Sequence, residues 1–123
     1  MHMNFEHTAP ACDEIEFNDF LKVDIRIGQV IEVEDFPEAR KPSYKLQIDF
    51  GETLGIKKTS AQITSLYSKE DLMGKKVAAV VNFPKRQIGK FMSEVLLLGF
   101  SDEAQNVVLF NLDHEVPNGS RLH

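Results

Sequence analysis

The sequence predicts an all-β protein with a minor helical part, folded as one small five-stranded barrel. Its 123 residues are 42% hydrophobic and 27% charged, which is the size and balance of a single globular domain. Several short segments show strand patterning, and one segment between them shows helical spacing. Because strands and helices do not alternate regularly, this pattern favours a small barrel over a parallel sheet covered by helices.

The first sixteen residues predict an acidic, mobile arm, and residues 17–123 predict the folded domain. The arm is polar and shows no apolar periodicity. Asn18 is expected to cap a short turn that carries apolar side chains onto the domain. These side chains are Phe17, Phe20 and Leu21.

Three strands are predicted in the first half of the domain. Ile25 and Ile27 lie on one face of the first strand, and Gly28 predicts a bulge or sharp bend that suits a small barrel. Residues 44–50 alternate between apolar and polar side chains and predict a second strand with one buried face. Residues 56–60 predict a short third strand.

The second half predicts the remaining strands and an extension. Residues 61–73 predict a short helix, or two helical turns, between the third and fourth strands. Residues 75–83 and 94–100 predict the fourth and fifth strands, whose apolar runs indicate burial on both faces. Residues 107–110 and Leu112 form a further apolar run after the five strands are complete. This run predicts a C-terminal extension that packs against a second copy of the chain; the alternative is an edge that packs on its own barrel.

The net charge of −5 hides a strong asymmetry along the chain. Residues 1–39 hold ten acids and two bases, which give −8, and residues 91–123 hold five acids and one base, which give −4. Residues 40–90 hold eleven bases and four acids, which give +7. This basic block is either a local footprint for a polyanion or a set of solvated charges on several faces. The sequence pI of about 5.3 argues against a strong non-specific nucleic-acid binder.

The chain lacks the residue patterns of an enzyme. We find no nucleophile with an acid or base partner and no complete phosphate loop, so we predict no catalytic residue and no cofactor. The single cysteine, Cys12, and the absence of Cys and His at zinc spacing indicate a reducing compartment and no metal site. The apolar runs are far shorter than the ~20 residues of a membrane span, and the first seventeen residues contain no Lys or Arg, unlike a secretory signal. We therefore expect a cytoplasmic protein without membrane insertion.

Residues 82–93 form the most distinctive ligand-binding motif. They follow a buried strand and carry three cations within six residues, Lys85, Arg86 and Lys90, next to Phe83 and Phe91. Cations beside aromatic rings are typical of sites for looped or single-stranded RNA, which combine phosphate attraction with base stacking. The alternative is a plain hairpin whose apolar side chains face the core while its cations are solvated.

These residues, together with several other blocks in the same order, resemble the tRNA-binding domain family over residues 20–119. The matching blocks are residues 23–28, 36–46, 60–64, 81–84, 86–89 and 93–96. The resemblance implies an OB-fold barrel with a C-terminal extension that helps to build a homodimer. Within the family it closely resembles a branch described as secretion-related chaperones that bind unfolded preproteins, while other members bind tRNA by its shape.

One departure from the family pattern bears on the ligand. The last motif of the tRNA-binding members typically reads Ser-x-Gly-Met, and residues 93–96 here read Ser-Glu-Val-Leu. The departure is typical of the chaperone branch and favours that interpretation over a dedicated tRNA carrier.

We therefore predict an ATP-independent homodimeric chaperone that holds unfolded preprotein segments. The alternative is a structure-specific tRNA-binding protein, and a third interpretation is an adaptor that docks on the secretion motor SecA or on a synthetase. In the predicted site an apolar floor is surrounded by a basic rim, with two further polar residues. The floor is Phe36, Phe83, Phe91 and Met92; the rim is Arg40, Lys41, Lys85, Arg86 and Lys90; the polar residues are Asn82 and Ser93.

Overall fold

In the computed structural model, which describes residues 6–123, two short helices and nine strands follow one another along the chain. They are α1 (Phe17–Leu21), β1 (Ile25–Asp35), β2 (Tyr44–Asp49), β3 (Ile56–Ala61), α2 (Lys69–Leu72), β4 (Lys76–Val80), β5 (Arg86–Ile88), β6 (Phe91–Ser93), β7 (Leu96–Leu97), β8 (Gly99–Ser101) and β9 (Val107–Leu109). An antiparallel sheet runs in the order β3-β2-β1-β4-β7, and β5–β6 and β8–β9 form two hairpins. The sheet curls into a nearly closed five-stranded barrel of the OB-fold type, which confirms the predicted all-β class. The helix predicted between the third and fourth strands is α2.

The long strand β1 curves around the barrel with the help of two separate features. Gly28 lies inside the barrel, where an added Cβ would stand 2.5 Å from Ile48 Cγ2 and 2.8 Å from the ring of Phe50. The bulge falls three residues later, at Ile31, where the register with β2 skips one residue. The prediction of a bulge at Gly28 is corrected accordingly: the glycine provides room for the core, and Ile31 provides the shift in register.

The barrel interior is filled by apolar side chains from β1, β2 and β4 and from the segments that connect and follow the strands. The buried cluster comprises Val30, Tyr44, Leu46, Ile48, Phe50, Ile63, Leu72, Val77, Ala79, Val95 and Leu109. Alternate residues of β2 point into it, as the sequence pattern predicted. Residues 77–80 of β4 are all buried, so the prediction that this strand is covered on both faces is also confirmed.

The segment 61–73 is helical only at its end. α2 has four residues and begins after Ser68, whose hydroxyl accepts a hydrogen bond from a main-chain N–H of the helix. The preceding residues are irregular because they are tied to the barrel wall. Ile63 is buried in the core, and the Tyr67 carbonyl accepts a 2.8 Å hydrogen bond from the Tyr44 hydroxyl.

The single fifth strand predicted over residues 94–100 is wrong. The chain bends at Val95, and the short pieces around the bend, β6, β7 and β8, pair with three different strands. Val95 is buried, but Leu96 and Phe100 are exposed. An apolar run indicates burial only where both faces of the strand are covered, and β8 has left the barrel.

The C-terminal segment covers one edge of β1. The Ile27 N–H donates to the Ser120 carbonyl at 2.9 Å, the Gly119 N–H donates to the Ile27 carbonyl at 2.7 Å, and the Leu122 N–H donates to the Ile25 carbonyl at 2.9 Å. The tail thus acts as an additional short strand along the start of β1.

Ion pairs hold this tail to the start of the domain. The Arg26 guanidinium lies 2.6 Å from the Asp24 carboxylate, and the Arg121 Nε lies 3.4 Å from the same carboxylate. Arg121 also donates to the Leu21 carbonyl at 2.7 Å. Asp24 therefore joins the beginning and the end of the domain.

The predicted arm lies partly outside the described residues, which begin at residue 6. Between residue 6 and α1 the chain forms only a turn, and nearly all of it is exposed. The cap of α1 is Glu16 rather than Asn18, because the Glu16 N–H donates to the Asp19 carboxylate at 2.9 Å. Phe17 is 70% exposed, so the expectation that it packs on the domain is also wrong. No helix in residues 6–123 is long and apolar enough to cross a membrane.

Candidate functional site

The barrel closes along a seam where β3 meets residues 93–96. At this seam the Glu94 N–H donates to the Lys58 carbonyl at 2.8 Å, and the Lys58 N–H donates to the Glu94 carboxylate at 3.0 Å. The second bond uses a side-chain oxygen in the place of a main-chain carbonyl. One residue of each strand thus forms the pairing that joins β3 to residues 93–96.

Two buried hydroxyl groups reinforce the seam beside that pairing. Thr59 and Ser93 are both buried, and their hydroxyl oxygens lie 2.9 Å apart. The Thr59 hydroxyl donates to the Val95 carbonyl at 2.7 Å, and the Ser93 hydroxyl lies 3.4 Å from the same carbonyl. Ser93 was predicted as a ligand-binding residue, and in the structure its hydroxyl is engaged inside the protein.

Beyond this point the seam opens into a groove of about 780 Å³, which we call the seam groove. Its walls come from the end of β3, the bend at residues 93–96, the β5–β6 hairpin and the loop after β1. The lining residues are Ala39, Arg40, Lys41, Ser43, Thr59, Ser60, Ala61, Gln62, Phe83, Pro84, Arg86, Ile88, Ser93, Glu94, Val95 and Leu96. The groove therefore combines apolar walls with polar strand ends and cations.

Five of the predicted site residues line the seam groove together. They are Arg40, Lys41, Phe83, Arg86 and Ser93. The three cations in this set are exposed and form no ion pair with the acids of residues 6–123. Their charges therefore remain available for an anionic or acidic ligand.

The structure places Phe36 and Phe91 in a separate aromatic cluster. Phe36 is buried, and its ring centroid lies 5.4 Å from that of Phe91. Lys58 lies 5.4 Å from the centroid of the Phe91 ring, and Lys45 lies within 6 Å of both rings. A small cleft of about 90 Å³ beside Phe91 is bordered by acids as well as lysines.

The four other predicted site residues lie around the groove without lining it. The Asn82 side chain accepts from the Asp24 N–H at 2.9 Å and donates to the Lys22 carbonyl at 2.7 Å, so it fixes the chain after α1. Lys85 forms a 3.6 Å ion pair with Glu94. Lys90 is exposed in the two-residue turn between β5 and β6, and Met92 is half-buried in β6.

The basic block of residues 40–90 is divided between two roles. Four of its lysines pair with acids elsewhere on the surface, which agrees with the interpretation that the charges scatter. These are Lys45 with Glu34, Lys69 with Asp35, Lys76 with Glu115 and Lys85 with Glu94. The three groove cations remain together, so the block also forms a local positive rim.

Several groove residues were missed by the sequence reasoning. Thr59, Ser60, Gln62 and Glu94 line the groove, but 34 residues separate Thr59 from Ser93 and only barrel closure joins them. The family block at residues 60–64 was the available signal for Ser60 and Gln62. The block carries no charge, so a search based on cations did not select it.

The C-terminal hairpin β8–β9 has one face on the barrel and one face open. Leu109 is buried in the core cluster, whereas Phe100 and Val108, which are directly paired, are 63% and 37% exposed. The Phe110 ring packs against Phe100 with centroids 5.0 Å apart. The hairpin thus presents a small aromatic and aliphatic patch away from its own barrel.

Comparison with protein families gives a match over most of the domain. The family model described as a putative tRNA binding domain matches residues 25–121. The chain is 39% identical over 109 residues to the methionine-tRNA ligase of Bdellovibrio bacteriovorus and 32% identical over 108 residues to that of Thermococcus onnurineus. The matched regions cover 89% and 88% of this chain but only 16% and 14% of those ligases. The chain therefore spans about a sixth of the length of these relatives.

Solved structures give a second set of similarities. The fold matches the CsaA chaperone protein of Picrophilus torridus with a TM-score of 0.83 and the chaperone CsaA of Bacillus anthracis with a TM-score of 0.84, each at 50% sequence identity. These matches cover 89% and 90% of this chain and all of each CsaA chain. A MetRS related protein of Pyrococcus horikoshii matches with a TM-score of 0.80 at 27% identity, over 91% of this chain and all of that one.

Proposed function

The chain belongs to the putative tRNA-binding domain family, and from this membership we propose that it is an ATP-independent chaperone of the CsaA type. In this proposal the protein is a homodimer, and each copy holds an unfolded preprotein segment in its seam groove. Holding acts by mass action: a protein that binds the unfolded chain lowers the concentration free to aggregate.

The observation that carries the proposal is the composition of the seam groove. Its walls include the apolar side chains of Phe83, Ile88 and Leu96, and its rim carries cations that form no ion pair with the acids of residues 6–123. Apolar walls suit the hydrophobic side chains that an unfolded chain exposes. The cations favour segments that also contain acidic residues. The similarity to two CsaA chaperones at 50% identity agrees with this assignment.

The homodimer is supported by the open face of the C-terminal hairpin. Phe100 and Val108 are paired, exposed and apolar, and such a patch on a small protein is commonly covered by a partner. Two linked grooves would bind a long unfolded chain with higher avidity than one. Light scattering is expected to give twice the 14.0 kDa mass of one chain. A monomer at micromolar concentration would contradict the homodimer.

The second candidate function is the binding of folded tRNA. It is favoured by the family match over residues 25–121 and by the three unpaired cations of the groove. These cations can contact phosphates as well as acidic side chains. The similarity to the two methionine-tRNA ligases extends over only 16% and 14% of their length.

The proposal also extends to location and partners. The single cysteine, Cys12, is free and exposed, which suits a cytoplasmic protein without structural disulfides. We expect the acidic arm of residues 1–16 to be mobile, and we expect the protein to have neither catalytic activity nor a cofactor. The secretion motor SecA remains our proposed docking partner for a secretion-related role.

The test is a pair of fluorescence anisotropy titrations across a series of salt concentrations. One uses a labelled unfolded preprotein segment and the other a labelled tRNA, and each is then competed against the other ligand. Binding of an unfolded segment predicts a negative heat-capacity change and a weaker dependence on salt than binding of tRNA, because only the few rim charges contribute to it. Binding to tRNA predicts a log–log slope of about one per phosphate contact.

Tight, salt-resistant binding of the peptide with weak binding of tRNA supports the chaperone. Tight binding of tRNA that is lost as salt rises, with no signal for the peptide, contradicts the chaperone and supports the second candidate. Competition between the two ligands would indicate that both use the seam groove.

A further inference from the structure

In residues 6–123, the seam groove contains a strand edge whose main-chain groups have no main-chain partner. Alternate residues of a strand direct their N–H and C=O groups toward the same side. Lys58 and Ser60 lie opposite Gln47 and Lys45 of β2, two positions apart, so their main-chain groups share one edge of β3. The groups of Lys58 meet Glu94 at the seam, and those of Ser60 therefore face the groove.

The main-chain N–H and C=O of Ser60 have few hydrogen-bond partners within residues 6–123. In residues 6–123 its N–H has no acceptor outside the β2 ladder, from which it points away, and its carbonyl is approached only by the Thr59 hydroxyl, at 3.3 Å, which lies closer to the Val95 carbonyl, at 2.7 Å. A main-chain donor and acceptor left in this way form a template for another strand.

The opposite side of the seam explains why the edge stays free. The Val95 carbonyl already accepts from the Thr59 hydroxyl, and Leu96 turns away to pair with Val80 of β4. The chain that would continue the pairing with β3 has therefore left the seam one residue after it began. The gap between the two strands is the seam groove itself.

On the premise of the proposed chaperone function, we propose that a client segment binds in extended conformation by adding a short strand to the β3 edge at Ser60. The client's main chain exchanges hydrogen bonds with the Ser60 N–H and C=O and completes the seam that Glu94 begins. Its alternate side chains face the apolar walls at Ile88 and Leu96.

An unfolded polypeptide fits this edge better than the other ligands considered. Each of its residues supplies both a donor and an acceptor, as Ser60 requires, and an unfolded segment has both free. A folded protein has already paired most of these groups, and an RNA phosphate accepts hydrogen bonds but donates none. Main-chain recognition is also tolerant of sequence, which a chaperone with many clients needs. Arg40, Lys41 and Arg86, which form no ion pair within residues 6–123, add attraction for acidic segments.

The test uses a proline-free ten-residue peptide of non-repeating sequence, with apolar and acidic side chains and a fluorescent label. Each peptide bond is methylated on nitrogen in turn, which removes one donor at a time. We expect loss of affinity at alternate positions over the bound part, because only every second residue faces the β3 edge.

The matched protein variants are Ser60→Pro and Ser60→Ala. Proline removes the groove-facing N–H and leaves the β2 ladder intact, and the alanine variant removes only the hydroxyl. We expect about a tenfold weaker affinity for Ser60→Pro, from one lost hydrogen bond and the obstruction by the ring, and no more than about a twofold change for Ser60→Ala. Thermal unfolding verifies that both variants fold, and if Ser60→Pro does not, the methylation series on the unaltered protein decides.

The outcomes separate this proposal from the proposed function. Binding of the peptide with no periodic effect of methylation, or with full affinity in a folded Ser60→Pro variant, overturns strand addition and leaves the chaperone function standing. Failure of the unaltered protein to bind any unfolded segment overturns both. A Ser60→Pro variant that loses tRNA affinity but keeps peptide affinity assigns the edge to RNA and also overturns the proposal.

Discussion

Two strand edges of the barrel differ in what covers their main-chain groups. At the start of β1, the C-terminal tail supplies three main-chain hydrogen bonds to Ile25 and Ile27 and covers the edge. At the end of β3, Glu94 covers Lys58, whereas in residues 6–123 the Ser60 N–H has no acceptor and the Ser60 carbonyl meets only the Thr59 hydroxyl, at 3.3 Å. The chain thus closes one edge with its own tail and leaves the other open inside a groove.

The difference suggests how a small barrel can keep a binding edge without aggregating. An open edge invites pairing with other chains, and natural proteins limit it by making it short and by placing charges nearby. The free part of β3 is short, it lies in a groove rather than on a flat face, and Arg40, Lys41 and Arg86 surround it. These features hinder pairing with another folded copy and still admit a single extended segment.

The largest expected effect is on the free energy of unfolding, for a substitution of Gly119 in the tail that covers the edge of β1. Gly119 has a φ of +94°, and a Cβ there would stand 2.7 Å from the Phe50 carbonyl oxygen. We expect Gly119→Ala to lower the free energy of unfolding by about 3 kcal/mol, from the left-handed conformation together with the clash. The matched control is Gly74→Ala, because Gly74 has a φ of +79° but open space around its Cβ position. Its expected cost is about 1 kcal/mol, and equal costs in urea denaturation would contradict the role of the close contact.

The next effect concerns the hydroxyl groups that close the seam. Thr59→Val keeps the shape of the side chain and removes the donor to the Val95 carbonyl. We expect a loss of about 2 kcal/mol in the free energy of unfolding, because the Val95 carbonyl loses its 2.7 Å donor and keeps only the Ser93 hydroxyl, at 3.4 Å. Thr59→Ser retains the hydroxyl and is the control. A Val variant as stable as the unaltered protein would show that the seam does not depend on this bond.

A smaller effect, on binding rather than stability, tests the rim of the open edge. Arg86→Glu reverses a groove cation, and we expect about tenfold weaker binding of both an acidic unfolded segment and tRNA. Lys90→Glu makes the same change in the turn of the same hairpin, outside the groove lining, and should change either affinity much less. If Arg86→Glu weakens only one ligand, the two ligands use separate surfaces.

The smallest effect concerns the ion pair beside the seam. Lys85 lies 3.6 Å from Glu94 and is largely exposed. We expect Lys85→Ala to change the free energy of unfolding by less than about 0.5 kcal/mol, because exposed ion pairs are weak. The Lys58 N–H bond to the other Glu94 oxygen stays in place. A loss above about 1 kcal/mol would mean that the ion pair, rather than the hydrogen bond, orients Glu94.

The sequence predicted those parts of the fold that depend on neighbouring residues. The alternation of residues 44–50 and the apolar run of residues 77–80 each correspond to a strand with the predicted burial. The same reasoning failed at residues 94–100, because a bend at Val95 sends consecutive short strands to different partners. Local pattern does not report which partner a strand has.

The sequence predicted the charged side chains of the candidate site but not the main-chain edge of the strand beside them. Arg40, Lys41 and Arg86 were selected because their charges are visible in the sequence, and they line the groove. The strand edge at Ser60 was not predicted, because it depends on the register of β3 against β2. It also depends on the seam between Thr59 and Ser93, which lie 34 positions apart in the sequence. The role of Glu94 was not predicted: its carboxylate accepts the Lys58 N–H in place of a main-chain carbonyl.

The most direct test of the account is amide hydrogen exchange of Ser60 and Ile27, measured by NMR with and without the unfolded peptide. The Ile27 N–H, which donates to the Ser120 carbonyl, should exchange slowly in both states. The Ser60 N–H should exchange quickly in the free protein and slow markedly when the peptide saturates the groove. A Ser60 amide that is already slow in the free protein, or that does not slow with saturating peptide, would contradict the account.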